Sequence, residues 1–203
     1  MNRTSGRRAS ALLLAGVGSV VLSGCVGAAS FESELLACEV GDEGSPSNGV
    51  VLTAQSVPTA SWVPCLNPLP PGWHFTDMNA RKGSARFFLD SDRNDMDAQR
   101  AIEVLLTESC DTSGASRVPS DREGMRRFER VTQVSPTYIG SRFYVFEGGC
   151  ITVLFTLSGD DRAEPLAVAT QIIGTVPRDD LRNLVREESD GRLELDPPGS
   201  EGS

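Results

Sequence analysis

The sequence has little of several residue types on which catalysis and nucleic-acid binding depend. Its 203 residues include one histidine, His74, and one lysine, Lys82, and 28 acidic side chains outnumber 19 basic ones to give a net charge of −9. Such a surface repels nucleic acid at long range, so we predict no nucleic-acid partner. The chain also lacks a C-x-x-C pair and a G-x-S-x-G segment. We therefore predict no metal, no cofactor and no catalytic residue.

Long apolar runs are also scarce, and the first one is too short to cross a membrane. Three arginines within the first eight residues precede an uncharged apolar stretch, ASALLLAGVGSVVLSG, at 9–24. A membrane-spanning helix needs about 20 apolar residues. A positively charged region followed by a short apolar region is instead typical of a secretory signal.

The end of this apolar run carries a further signal. Leu22, Ser23 and Gly24 lead directly into Cys25, where an ordinary secretory signal would have an A-x-A-like cleavage site. This segment resembles the lipobox of bacterial lipoproteins. The resemblance covers the first 25 residues, and it implies cleavage between Gly24 and Cys25 and a diacylglyceryl group on the Cys25 thiol. It also implies a location at the extracytoplasmic face of the cell membrane.

Four cysteines remain after this processing, and their even number in an exported protein predicts two disulfides. They are Cys38, Cys65, Cys110 and Cys150. Four cysteines allow three pairings, among which we favour the sequential one, Cys38–Cys65 and Cys110–Cys150. The second bridge would join the end of one strand to the start of another, where two Cβ atoms can approach closely.

The hydrophobic pattern predicts an α+β fold, an antiparallel sheet with C-terminal helices. Strands are predicted at 50–58, on both sides of a turn near 81–83, and at 101–110, with Trp73 delivered to the core by a proline-rich segment. Side chains alternate between the two faces of each strand. Ala85, Phe87 and Leu89 share one face of their strand, and Ile102, Val104 and Leu106 share one face of theirs.

A tight hairpin is predicted at 142–157, where Gly148–Gly149 suits a two-residue turn. The expected cross-strand pairs are Glu147 with Cys150, Phe146 with Ile151, and Tyr144 with Val153. Helices are predicted at 163–174 and after Pro177, because apolar residues recur there at helical spacing.

The predicted domain organisation has four parts. Residues 1–24 form the signal peptide, 25–37 the lipidated N-terminus and tether, 38–187 one disulfide-stapled domain, and 188–203 a disordered acidic tail. The mature chain, without the three arginines of the signal, has a net charge of about −12.

Five candidate sites have structural explanations that we favour. His74 lacks a nucleophile motif, and the acidic segment DSDRNDMD (90–97) departs from a calcium loop at its sixth and twelfth positions, so we expect a surface histidine and an acidic turn. Glu103 with Glu108 is one of many conceivable carboxylate pairs. The alternating aromatic residues are expected in the core. The arginines of DREGMRRFER are interspersed with acids, which predicts a solvated mixed-charge face rather than a site for lipid phosphates; they are Arg122, Arg126, Arg127 and Arg130.

These observations favour a non-enzymatic, membrane-anchored envelope protein that binds a partner protein or a small ligand. Two alternatives stay open at this point: a carboxylate-based hydrolase or carbohydrate-active enzyme, and an accessory subunit of a membrane complex. A deep pocket with close carboxylates would favour the enzyme, and an exposed apolar patch would favour partner binding.

Overall fold

A seven-stranded antiparallel sheet organises the structure. The computed structural model describes residues 35–38, 46–94, 100–158 and 163–195. The large sheet has the strand order β2-β3-β4-β8-β7-β6-β5, and β1 and β9 form a separate two-stranded sheet. The strands are β1 Trp62–Leu66, β2 Trp73–Arg81, β3 Ser84–Ser91, β4 Ile102–Thr107, β5 Ser116–Val118, β6 Arg126–Gln133, β7 Tyr138–Phe146, β8 Gly149–Leu157 and β9 Ile173–Pro177.

Three helices within the described residues pack on one side of this sheet. They are α1 Asn48–Ser56, α2 Ala163–Ile172 and α3 Arg178–Glu188. The chain is thus a single α+β domain with helices near its C-terminus, as predicted. No helix of the described residues is long and apolar enough to cross a membrane.

The two faces of the large sheet differ chemically. We call the side that packs against the helices the covered face; Phe87, Val104 and Val153 pair across neighbouring strands there and are buried in the main hydrophobic cluster. The opposite side, the open face, carries Phe88 and Phe143, which lie outside that cluster. The predicted shared faces of β3 and β4 are confirmed, since the three residues assigned to one face of each strand are all buried.

The predicted hairpin is present, but its register differs by two residues. The turn lies at Glu147–Gly148, so Phe146 pairs with Gly149 and Tyr144 with Ile151. Gly148 has the positive φ that the turn requires, 69°. Gly149 serves packing instead, because a Cβ there would lie 2.7 Å from a carbon of the Phe146 ring. A two-residue shift leaves every side chain on its predicted face.

The first predicted strand is wrong. Most of the interval 50–58 lies in helix α1, and its buried residues Val50, Thr53 and Ala54 recur at helical spacing. The β-branched residues of this segment favour a strand locally, but burial of that helical stripe against the core outweighs the preference. Leu36, fully buried beside this helix, completes the contact.

Both predicted disulfides are confirmed. Cys38–Cys65 ties the segment 35–38 to β1 with a Cα–Cα distance of 4.9 Å. Cys110–Cys150 ties the loop after β4 to the start of β8 with a Cα–Cα distance of 5.8 Å. A Cβ at Gly174 in β9 would overlap the Cys38 sulfur, so the first bridge can pack against β9 only because that residue is glycine.

The helices near the C-terminus are also confirmed, with small differences at their ends. Helix α2 ends at Ile172, and Ile173 begins β9 instead of extending the helix. Pro177 is the residue before α3, where Leu181 and Val185 are buried. Packing continues past residue 187, since Leu195 is 1% exposed and belongs to the core cluster.

A buried arginine holds α1 in place. The guanidinium of Arg178 donates hydrogen bonds to the carbonyl oxygens of Ala54, at 2.7 Å, and Val57, at 3.4 Å. These carbonyls lie at the C-terminal end of α1, where the helix dipole favours a positive charge. Arg178 is 1% exposed. The first residue of α3 therefore fixes the end of α1.

We expect the substitution Arg178→Met to destabilise the fold by about 2–3 kcal/mol, because it keeps the apolar stem but leaves buried carbonyl oxygens without their donor. Urea unfolding with intact disulfides measures this change. Arg186→Met, on the exposed side of the same helix, is the control and should change stability by less than about 0.5 kcal/mol. Equal effects of the two substitutions would contradict this role.

Candidate functional site

An apolar pocket of about 250 Å³ lies beside the first described segment of the chain. Its walls come from this segment, α1, β9 and α3, and consist of Ala37, Cys38, Pro46, Ser47, Val50, Val176, Pro177, Asp180, Leu181 and Leu184. Leu181 and Leu184 lie one helical turn apart on α3 and therefore face the same space. Asp180 is exposed and is the one charged residue among the walls. The pocket can accept an apolar group, and the Asp180 carboxylate at its rim can accept a hydrogen bond from the same partner.

A larger cleft of about 490 Å³ lies between the proline-rich turn before β2 and the start of α2. Trp73, Asp92, Arg93, Glu164 and neighbouring residues line it. Its charged groups are already paired: Arg93 binds Glu164 at 2.5 Å, and Asp92 binds His74 at 2.7 Å. The cleft brings two carboxylates to one cavity, each with a cationic or hydrogen-bonding partner.

His74 lies at the surface, with 55% of its side chain exposed. It is on β2, opposite Asp90, and its ring bonds to the carboxylate of Asp92. No Ser, Thr or Cys side chain of the described residues forms a hydrogen bond with its ring. The pair can orient the imidazole, but it lacks the third group that a nucleophilic triad requires.

The acidic segment 90–97 does not form a cation site among the described residues. Residues 95–97 lie outside them; Asp90 accepts a hydrogen bond from the Ser91 amide, and Asn94 accepts two from Ser158. No group of three His, Cys, Asp or Glu side chains that could hold a metal is present in the described ranges. The described part of this segment is the end of β3 and the turn after it, with hydrogen bonds inside the turn and to the distant Ser158.

Strand alternation separates the arginines of the segment 121–130. Arg127 pairs across the sheet with Tyr144 and lies on the covered face, together with Glu129. Arg126 and Arg130 pair with Val145 and Ser141 and lie on the open face. The sequence mixes these charges evenly, but the structure divides them between two surfaces.

On the covered face, Glu129 joins two arginines. Its carboxylate accepts hydrogen bonds from Arg127 at 2.5 Å and from Arg142 at 2.7 Å. Arg142 is 9% exposed and also donates to the hydroxyl of Thr170 on α2. This arrangement, which we call the Glu129 network, ties α2 to β6 and β7.

The pKa of the Glu129 carboxyl reflects two opposing effects. Burial raises it, but the hydrogen bonds and charges of Arg127 and Arg142 outweigh burial and hold the pKa below its ordinary value. Burial lowers the pKa of Arg127, but the hydrogen bond and the charge of Glu129 help to outweigh burial, so this pKa lies above its ordinary value. The carboxyl therefore stays ionised at neutral pH and is unsuited to general-acid catalysis.

Arg122 has a structural role of the same kind as that of Arg178. Its guanidinium lies over the ring of Tyr144, 4.7 Å from the ring centre, and donates to the carbonyl oxygens of Thr170 and Ile173. These oxygens lie at the C-terminal end of α2, where a cation is favoured. Arg122 is thus committed to this helix end.

The remaining candidates are accounted for. Glu103 forms an ion pair with Arg86 at 3.4 Å, and Glu108 lies exposed beyond the end of β4, so the extended strand separates the two carboxylates. The aromatic residues Phe87, Phe88, Phe143, Tyr144, Phe146 and Phe155 are buried, as predicted. Gly24 and Cys25 lie outside the described residues, so the proposed lipidation stays a prediction.

The apolar pocket could not be found from the sequence. Its walls come from two regions, 37–50 and 176–184, more than 120 residues apart in the chain. The sequence signal that bears on the pocket is the apolar stripe of α3. This stripe predicts that one face of the helix is packed, but it does not identify the elements that pack against it.

No protein-family model matches this chain, and no curated protein shows significant sequence similarity to it.

We expect Glu129→Gln to lower stability at pH 7 by about 1 kcal/mol, a value discounted for the partial exposure of the side chain. A lowered carboxyl pKa in the folded state stabilises the fold above the unfolded pKa, about 4.3, and this contribution is lost as pH falls through the folded pKa. The gap between wild type and variant should therefore close below about pH 4. Urea unfolding across pH measures it, with Glu108→Gln as the control. A gap that does not change with pH would contradict the network.

Proposed function

We propose that this chain is a non-enzymatic envelope lipoprotein. In this proposal residues 1–24 are removed, and a diacylglyceryl group on Cys25 holds the domain at the extracytoplasmic face of the cell membrane. The lipobox-like segment supports it, and the two disulfides are consistent with it, because such bridges persist in oxidising compartments. Nine residues lie between Cys25 and Leu35, so the lipid would be attached close to the domain along the chain.

We propose further that the apolar pocket receives one apolar side chain of a partner protein. The observation that carries this proposal is the pocket itself, with apolar walls and one acidic residue at its rim. Its volume of about 250 Å³ is below the roughly 300–1,000 Å³ of pockets that enclose a whole small ligand. Buried aromatic or aliphatic anchors in small pockets dominate many protein interfaces. An accessory subunit of a membrane complex would use the pocket in the same way.

A small polar ligand in the larger cleft is the second candidate. The cleft volume of about 490 Å³ falls in the range of ligand pockets, and Asp92 and Glu164 line it. A carboxylate-based hydrolase needs two carboxyl groups that flank the scissile bond and exchange protons with it. In this cleft Asp92 is paired with His74, and Glu164 is paired with Arg93. We therefore rank a ligand or substrate in the cleft below partner binding at the pocket.

The anchor is tested by the substitution Cys25→Ala. We expect loss of metabolic labelling by a fatty acid, together with release of the protein from membranes or accumulation of the unprocessed chain. Mass spectrometry of the wild-type N-terminus provides the second readout. A mature N-terminus at another residue, without an acyl group, would refute the lipoprotein proposal.

The pocket is tested by a photo-crosslinking residue placed at Leu184 in living cells. We expect a discrete cross-linked protein that disappears when Val176→Trp fills the pocket. The control position is Leu52, which is 53% exposed on α1 and does not line the pocket. Cross-links of equal pattern from both positions, or a Leu184 cross-link that survives Val176→Trp, would contradict partner binding at the pocket.

A further inference from the structure

The open face carries a basic patch at the β5–β6 edge of the sheet. Arg117 pairs with Phe128 across these strands and lies on the same face as Arg126 and Arg130. Arg126 and Arg130 are four residues apart along β6, about 13 Å, with Phe128 between them. Three arginines therefore surround one partly exposed aromatic ring; we call Arg117, Arg126, Phe128 and Arg130 the basic patch.

Two of the three arginines in this patch have no acidic partner in the described part of the chain. Arg117 and Arg126 are exposed, and their side chains form no hydrogen bond or ion pair there. Arg130 lies over the Phe143 ring and donates to the carbonyl oxygen of Ser113. Asp111 is the nearby acid: its pKa is lowered mainly by hydrogen bonds from Ser113, with a smaller effect of Arg130. The Asp111 carboxylate thus interacts with Arg130, whereas Arg117 and Arg126 are the two arginines of the patch without an acidic partner among the described residues.

The other half of the open face is different. Arg86 is paired with Glu103 at 3.4 Å, and Arg100 is paired with Asp77 at 3.2 Å and lies over the Phe88 ring. The arginines of β3 and of the loop before β4 are therefore neutralised within the fold. At the far edge of this face, Arg81 bonds to the Ser84 hydroxyl and has no acidic partner among the described residues. The basic patch differs from that edge because its arginines flank the ring of Phe128.

Strand alternation keeps one acid away from this patch. Glu129 lies between Phe128 and Arg130 in the sequence, but its side chain is on the covered face and forms ion pairs with Arg127 and Arg142 there. The acid that would dilute the patch is thus on the other side of the sheet.

We infer that the basic patch is a docking surface for an acidic segment of a partner protein. Guanidinium groups bind carboxylates through paired hydrogen bonds, and arginine and aromatic side chains are enriched at protein interfaces. The surface is separate from the apolar pocket, whose walls belong to the helix side of the sheet.

The test measures binding of fluorescent poly-L-glutamate of about 20 residues to the full-length chain in detergent at low ionic strength. We expect Arg117→Gln combined with Arg126→Gln to weaken binding at least about tenfold, since each removes one charge at the patch. Wild-type binding should also weaken as salt shortens the screening length to about 10 Å at 0.1 M. Both side chains are exposed, so the unfolding midpoint should not change.

The matched control removes the same charge elsewhere. Arg186→Gln combined with Arg192→Gln, at the exposed end of α3 and just beyond it, should change binding less than about twofold. Equal losses in the two double variants, or no binding by the wild type at low salt, would overturn the inference. Patch-dependent binding to vesicles containing phosphatidylglycerol, without binding to poly-L-glutamate, would also overturn it and assign the patch to a bilayer. None of these readouts depends on lipidation of Cys25 or on the apolar pocket.

Discussion

Two arginine side chains, Arg178 and Arg122, fix the C-terminal ends of helices α1 and α2, and the packing of the helical side of the molecule depends on them. Each guanidinium binds carbonyl oxygens at the C-terminal end of a helix to which it does not belong: Arg178 at α1 and Arg122 at α2. A helix end carries unsatisfied carbonyls and a partial negative charge, so a cation that bonds there satisfies both requirements. The Glu129 network adds a second attachment between α2 and the sheet.

Once the helices are attached, the surfaces that remain follow from geometry. The segment 35–38, α1, β9 and α3 meet at an apolar pocket, while the open face of the sheet has no helix against it among the described residues. Arg100 and Arg130 lie over Phe88 and Phe143 there and shield the rings from water. Arginine thus has three distinct uses among the described residues: capping of helix ends, ion pairing on both faces of the sheet, and exposure on the open face.

The sequence predicted the sheet, the two later helices and both disulfides because their signals are local and mutually consistent. The alternation in β3 and β4 and the spacing of Cys110 and Cys150 all agree with one arrangement. Helix α1 was mispredicted because its β-branched residues favour a strand, and only burial against a distant core reverses that preference. The hairpin register was missed because two adjacent glycines look equivalent until Phe146 and Ala60 are seen to crowd Gly149.

The candidate sites were harder to predict, since charge patterns in a sequence do not reveal which face a side chain occupies. The four arginines of 121–130 looked like one mixed surface, yet they divide into one helix cap, one ion-paired residue and two members of the basic patch. Modification of arginines in the native chain by phenylglyoxal, located by mass spectrometry, tests this division directly. Arg117 and Arg126 should react first, and Arg142 and Arg178 should stay unmodified until the protein unfolds. Reaction of Arg178 or Arg142 as fast as Arg117 would contradict it.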